Sequence, residues 1–128
     1  MKQELVYPEL SYKITGLLFA VHNELGKYNN EKQYGDLIEN KFKENNIRYE
    51  REKILPASFV GEKSRNRIDF LIEDKIVLEI KCKRINERND FYQLKRYLIA
   101  LDKRLGLLVN FREKYLKPKR VLNPNNKN

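Results

Sequence analysis

The stretch from Arg67 to Lys83, RIDFLIEDKIVLEIKCK, constrains this chain more than any other. It reads as two strands, Arg67–Ile72 and Ile76–Cys82, joined by the polar loop Glu73-Asp74-Lys75. Both strands are rich in Ile, Val, Leu and Phe, and charged residues fall only at certain alternate positions. A three-residue loop sets Ile72 opposite Ile76, and that register carries Asp69 to Glu79. Side chains alternate faces along a strand, so Glu79 and Lys81 share a face and Asp69 joins them. A two-residue loop would shift the pairing by one and send Asp69 to the far face.

Two carboxylates facing each other destabilise a sheet, by roughly 0.2–1 kcal/mol for such pairs. A bound divalent cation reverses that sign, because hard cations take carboxylate oxygens. An Asp followed by Glu-x-Lys is also the pattern of a metal-dependent phosphodiesterase, in which carboxylates hold the metal and the lysine orients or activates the attacking water. In an arbitrary hairpin the same residues read first as a solvated strand face with an Asp, Glu and Lys ladder, since most strand charges are surface charges.

The elements around the hairpin follow from periodicity and punctuation. Leu10, Ile14, Leu17, Leu18, Val21 and Leu25 predict a helix from Pro8 to Leu25 that stops at Gly26. His22 near the buried edge of its stripe reads as a packing residue. Asn30 and Gln33 form a capping box for a helix from Glu31 to about Asn45, with Tyr34, Leu37, Ile38 and Phe42 inward. Glu31 lies one turn before Tyr34 on that face; the positive end of the helix dipole accounts for it, and so does a role above the sheet. Arg48–Val60, interrupted by Pro56, reads as a broken or edge strand, and Gly61–Asn66 as a polar loop; its Lys63 and Arg65, with Arg67 beyond, read by default as solvated, although they could reach a phosphate. After Lys83 and Arg84, Asn89 or Asp90 caps a helix running to about Leu101, followed by the apolar strand Leu105–Phe111 and a short edge strand at Arg120–Leu122.

These pieces carry a resemblance. Asp69-x9-Glu79-Ile80-Lys81 resembles the active-site signature of the PD-(D/E)XK nuclease superfamily. VHNELG (Val21–Gly26), Glu31-x-x-Tyr34, Gln93-x-x-x-Tyr97 and RLGLLVNF (Arg104–Phe111), taken in order with the hairpin, resemble the GxxExxY family within it. The resemblance implies an α/β fold: a restriction-endonuclease-like αβββαβ core, a mixed sheet flanked by helices, with one extra N-terminal helix. It implies hydrolysis of phosphodiester bonds of nucleic acid, DNA rather than RNA, with Mg²⁺ or Mn²⁺. By that resemblance Asp69, Glu79, the Ile80 carbonyl and Glu31 serve the metal, and Lys81 positions water or neutralises phosphate. Gln93, Tyr97 and Lys83 contact substrate. Cys82, pointing away from Lys81, is a packing residue.

Bulk properties agree with that class. The 128 residues are the size of one domain, expected over residues 1–122 with a disordered tail at 123–128. An excess of 27 Lys and Arg over 18 Asp and Glu, a formal +9, favours a polyanionic partner, although genome composition produces similar excesses. One cysteine excludes an internal disulfide and a thiolate zinc site. No run approaches the ~20 apolar residues of a membrane span, and the N-terminus lacks a signal-like apolar core. The expectation is a cytoplasmic protein without membrane contact that draws its specificity from a homodimer or a partner. The competing expectation is an inactive nucleic-acid-binding or partner-binding protein on the same fold; the intact Asp, Glu and Lys set argues against it.

Overall fold

In a computed structural model of the chain, residues 5–57 and 66–126 are described. Helix α1 (Pro8–Leu25) has its proline in the first turn and ends at Gly26, whose φ of 74° suits glycine. Helix α2 (Glu31–Glu44) starts with the expected box: Asn30 Oδ1 accepts from the Gln33 amide at 2.8 Å, and Gln33 Oε1 accepts from the Asn30 amide at 2.9 Å. Strands β1 (Tyr49–Ile54), β2 (Arg67–Ile72) and β3 (Ile76–Lys81) follow, then α3 (Arg88–Leu101), β4 (Leu105–Asn110) and β5 (Lys119–Leu122).

The sheet runs β1-β2-β3-β4-β5, antiparallel except for the parallel β3–β4 pair, which α3 joins as a crossover. One face packs Leu78 and Ile80 of β3, with Phe70, under Ile14, Leu18 and Val21 of α1 and Tyr34, Ile38 and Phe42 of α2. The other packs Ile68, Leu71 and Val77 under Leu94, Tyr97 and Leu98 of α3. This is the mixed, helix-flanked α/β sheet in the expected αβββαβ order, with α1 as the added N-terminal helix and β5 as the edge. Among the described residues no helix is long and apolar enough to cross a membrane.

The hairpin has the expected register. Ile72 pairs with Ile76 across Glu73-Asp74-Lys75, and Glu73 and Asp74 take positive φ to close it. Strand β3 ends at Lys81, one residue earlier than expected, and β4 likewise stops at Asn110. Helix α3 is not capped by Asn89 or Asp90: Glu87 occupies the cap without a side-chain hydrogen bond, and Asp90 is drawn instead to Lys83. Residues 123–126, expected in a tail, continue from β5 with Asn123 buried, its amide donating to Leu98 O and Lys103 O. The Gly61–Arg65 part of the expected loop, with Lys63 and Arg65, lies outside the described residues, as do 127–128.

Two contacts fix the helices over the sheet. Tyr34 stacks on Phe111 at 4.2 Å, and its hydroxyl donates to Gly26 O. Arg51 of β1 reaches α2, with Nη1 2.8 Å from Asp36 Oδ1 and 3.3 Å from Glu39 Oε1. On the opposite face, Gly106 lets Leu94 lie directly on β4: a Cβ there would sit 2.9 Å from Leu94 Cδ2 and Cγ. Gly106→Ala is therefore expected to push α3 off the sheet and cost roughly 1–3 kcal/mol, seen as a lower midpoint in thermal unfolding. An unchanged midpoint would mean that Leu94 moves aside freely.

Candidate active site

The β2–β3 ladder runs through Ile72–Ile76, Leu71–Val77 and Phe70–Leu78, and no further backbone pair follows. At the next position side chains replace the backbone rungs. Glu79 Oε1 accepts from the Asp69 amide at 3.0 Å, and Asp69 Oδ2 accepts from the Ile80 amide at 2.6 Å. The two carboxyl groups stand side by side in the opening. Glu79 is only 5% exposed. Burial, then the charge of Asp69, pushes its carboxyl up to about 8. Burial also raises Asp69, against the pull of the Ile80 amide and the positive charge of Lys81.

Alternation assigns the faces. Ile80 belongs to the α1/α2 side and Val77 to the α3 side, so Glu79 and Lys81 point toward α3. Lys81 Nζ lies 3.9 Å from Asp90 Oδ1. Lys83 Nζ lies 3.0 Å from the same oxygen and 3.2 Å from Glu87 Oε2. Tyr97 is buried near the pair: burial raises its phenol most, and the Glu79 charge adds to it. Gln93, one turn earlier on α3, is half-buried.

Asp69 does not simply share the Glu79 face. Ile68 and Leu71 both join the α3 side although they are three residues apart, so alternation breaks between them. Asp69 takes up the break and lines a cavity of about 160 Å³ on the α2 side, together with Glu31 and Glu52. Glu52 stands across from Asp69, between the Arg51–Phe70 and Lys53–Ile68 pairs, with φ of 55°. That left-handed conformation is uncommon for a residue other than glycine. Glu31 is exposed in the first turn of α2, yet its carboxyl is raised by burial first, lowered by Lys81 and raised again by Asp69.

Three neighbours escaped the sequence. Asp90 reads as a cap, and nothing in its spacing links it to Lys81 and Lys83. Glu52 reads as one charge among many in β1. Asn110 is a polar residue ending an apolar run, which was a usable signal. Its buried side chain accepts from the Lys83 and Arg112 amides at 3.0 and 3.1 Å. It donates to Lys83 O at 2.8 Å and to Asn86 Oδ1 at 2.7 Å, pinning the segment that leads to Asp90. His22 Nε2 donates to Glu113 O at 2.8 Å, a satisfied packing contact. Cys82 packs at the edge of the α1/α2 core, and burial pushes its thiol up to about 11.

The donor set suits a hard divalent cation. Asp69 and Glu79 present adjacent carboxyl oxygens, where burial and like charge penalise a second negative charge that a cation would offset. Among the described residues no three His, Cys, Asp or Glu side chains cluster closely enough to hold a metal ion. The arrangement is thus a two-carboxylate site with Glu31 across the small cavity. Mg²⁺ retains several waters, so two protein carboxylates suffice.

A family model described as the PD-(D/E)XK nuclease superfamily matches residues 8–121. Among solved structures, the chain is similar to one titled "Crystal structure of SSO0001", with a TM-score of 0.54 and 24% identity. The likeness covers 87% of this chain and 66% of that one, just under two thirds of its length, and speaks to the fold alone. A comparison with curated proteins finds no match.

Proposed function

Since the chain belongs to the PD-(D/E)XK nuclease superfamily, we propose that it is a metal-dependent nuclease that hydrolyses phosphodiester bonds of DNA, and a member of the GxxExxY family. The observation that carries this reading is the Asp69–Glu79 pair in the opened end of the hairpin, with Lys81 next on the strand face that Glu79 occupies. Asp69, Glu79 and the Ile80 carbonyl would hold Mg²⁺ or Mn²⁺, with Glu31 reached directly or through water. A cation held there supplies a water of lowered pKa and offsets charge growing on the phosphoryl oxygens. Lys81 would stand beside the reacting phosphate, where it positions the nucleophile or stabilises the developing charge. Gln93, Tyr97 and Lys83 orient the strand. A single cysteine suits a reducing cytoplasm, and a second copy of so small a unit would extend its hold on DNA as a homodimer.

The alternative, an inactive nucleic-acid-binding or partner-binding protein, draws on one observation: the described residues contain no preassembled three-ligand cluster. Labelled single strands, duplexes, junctions and RNA, incubated with Mg²⁺, Mn²⁺ or chelator, separate the two. Cutting that needs metal and disappears in Asp69→Asn and Glu79→Gln supports the nuclease. Salt-sensitive binding with no cutting on any substrate supports the alternative.

A further inference from the structure

A cavity of about 630 Å³ opens beside Lys81 on the α3 side of the sheet. That is within the range of about 300–1,000 Å³ that holds small ligands. Its apolar lining comes from Phe91, Tyr92, Leu108 and Pro118. Tyr92 is 50% exposed, and its ring meets Phe91 edge-on at 5.6 Å. The Lys119 ammonium stands 4.7 Å from the centre of the Phe91 ring.

Charge around the cavity is unbalanced. Arg88, Lys117 and Lys119 line it, are exposed, and form no ion pair with a described residue. Of the acidic lining, Glu87 and Asp90 are engaged by Lys83, which leaves Glu113. The cavity therefore offers aromatic surface and uncompensated cations in the same space, next to the reactive lysine. A flat apolar body carrying phosphate satisfies both.

We infer that this cavity takes one unpaired nucleotide of the cut strand, its base against the half-exposed Tyr92 ring and its phosphates along Arg88, Lys117 and Lys119. The inference rests on the nuclease reading and narrows its substrate: single strands, overhangs and frayed ends are preferred over intact duplex. A base inside a duplex is stacked and paired, and it reaches an apolar cavity only by leaving the stack at a free-energy cost. Aromatic stacking accepts any base, so the cavity selects strandedness and not sequence.

The test is fluorescence anisotropy on the full chain in chelator, which stops cutting. The probes are a short labelled single strand, the blunt duplex of that sequence, and the same duplex with an overhang. The single strand and overhang are expected to bind roughly tenfold or more tightly than the blunt duplex. Tyr92→Ala, at a half-exposed position, should remove that preference with its thermal midpoint unchanged. Lys117→Ser with Lys119→Ser should weaken all binding and reduce its salt dependence. A 2-aminopurine in the single strand should be quenched by wild type and not by Tyr92→Ala. Equal affinity for blunt duplex, or a preference that Tyr92→Ala leaves intact, overturns the inference. Metal-dependent cutting together with equal affinity defeats this inference alone. A preference for unpaired strand without cutting under any metal defeats the nuclease reading and keeps the cavity as a site for unpaired nucleotides.

Discussion

Lys81→Met is expected to lower cleavage by roughly 10²–10³-fold while metal binding and fold survive. The methionine retains most of the apolar stem, which is the part of a lysine that packs. It leaves no orphaned charge, because Asp90 keeps Lys83 at 3.0 Å. What it removes is the ammonium on the Glu79 face of β3. The comparison to make is single-turnover cleavage at saturating metal against calorimetric titration of the same metal. A second, smaller effect follows from electrostatics. Lys81 holds the Glu79 and Asp69 carboxyls down, so without it both rise further and metal binding begins at higher pH. If Lys81→Met instead abolished metal binding or unfolded the protein, its role would be structural.

Glu79→Gln should make the metal-free protein more stable in alkali while removing its metal binding. The Glu79 carboxyl stands at about 8 in the folded chain, above its ordinary 4.5. The folded state therefore holds a proton that the unfolded state has lost across that window. Its contribution to stability is fully present below about pH 4.5 and is lost as pH rises through 8. Wild type in chelator should thus melt at falling temperature from pH 5 to pH 9. The glutamine is neutral throughout, so its curve should be flatter and its stability above pH 8 higher by roughly 2–4 kcal/mol. Metal affinity of the wild type should rise with pH over the same window, because the cation takes the place of that proton. Thermal scans at several pH values, with and without Mn²⁺, check all three trends. A wild-type midpoint independent of pH would mean that Glu79 is already ionised at neutrality.

Local rules account for most of what the sequence made legible. The capping box at Asn30 and Gln33, the glycine stop at Gly26 and the three-residue loop before Ile76 each depend on neighbours a few residues away, and each is present. The apolar stripes of α1 and α2 face the sheet as their periodicity required. The geometry around Asp69 was less legible. Strict alternation places Asp69 on the Glu79 face. It cannot foresee that Ile68 and Leu71 bury on the same side, which requires the backbone to slip at Asp69. Asp90 and Asn110 were missed because their partners lie across the chain: Asp90 meets Lys81 and Lys83 only once α3 crosses over, and Asn110 meets Lys83 only when β4 lies beside β3. Sequence spacing contains no term for such meetings.

The last rungs of the β2–β3 hairpin are closed by the very carboxyl oxygens assigned to the chemistry. Cutting either side chain back to a methyl group would leave a main-chain N–H, of Asp69 or of Ile80, without its acceptor, a loss of about 1–3 kcal/mol in a buried setting. In a random-mutagenesis screen scored by cellular abundance, Asp69 and Glu79 would therefore surface among the folding defects, indistinguishable from core positions such as Phe70 or Leu78. Only replacements that keep an acceptor oxygen, asparagine and glutamine, would move from the low-abundance class into the abundant but inactive one.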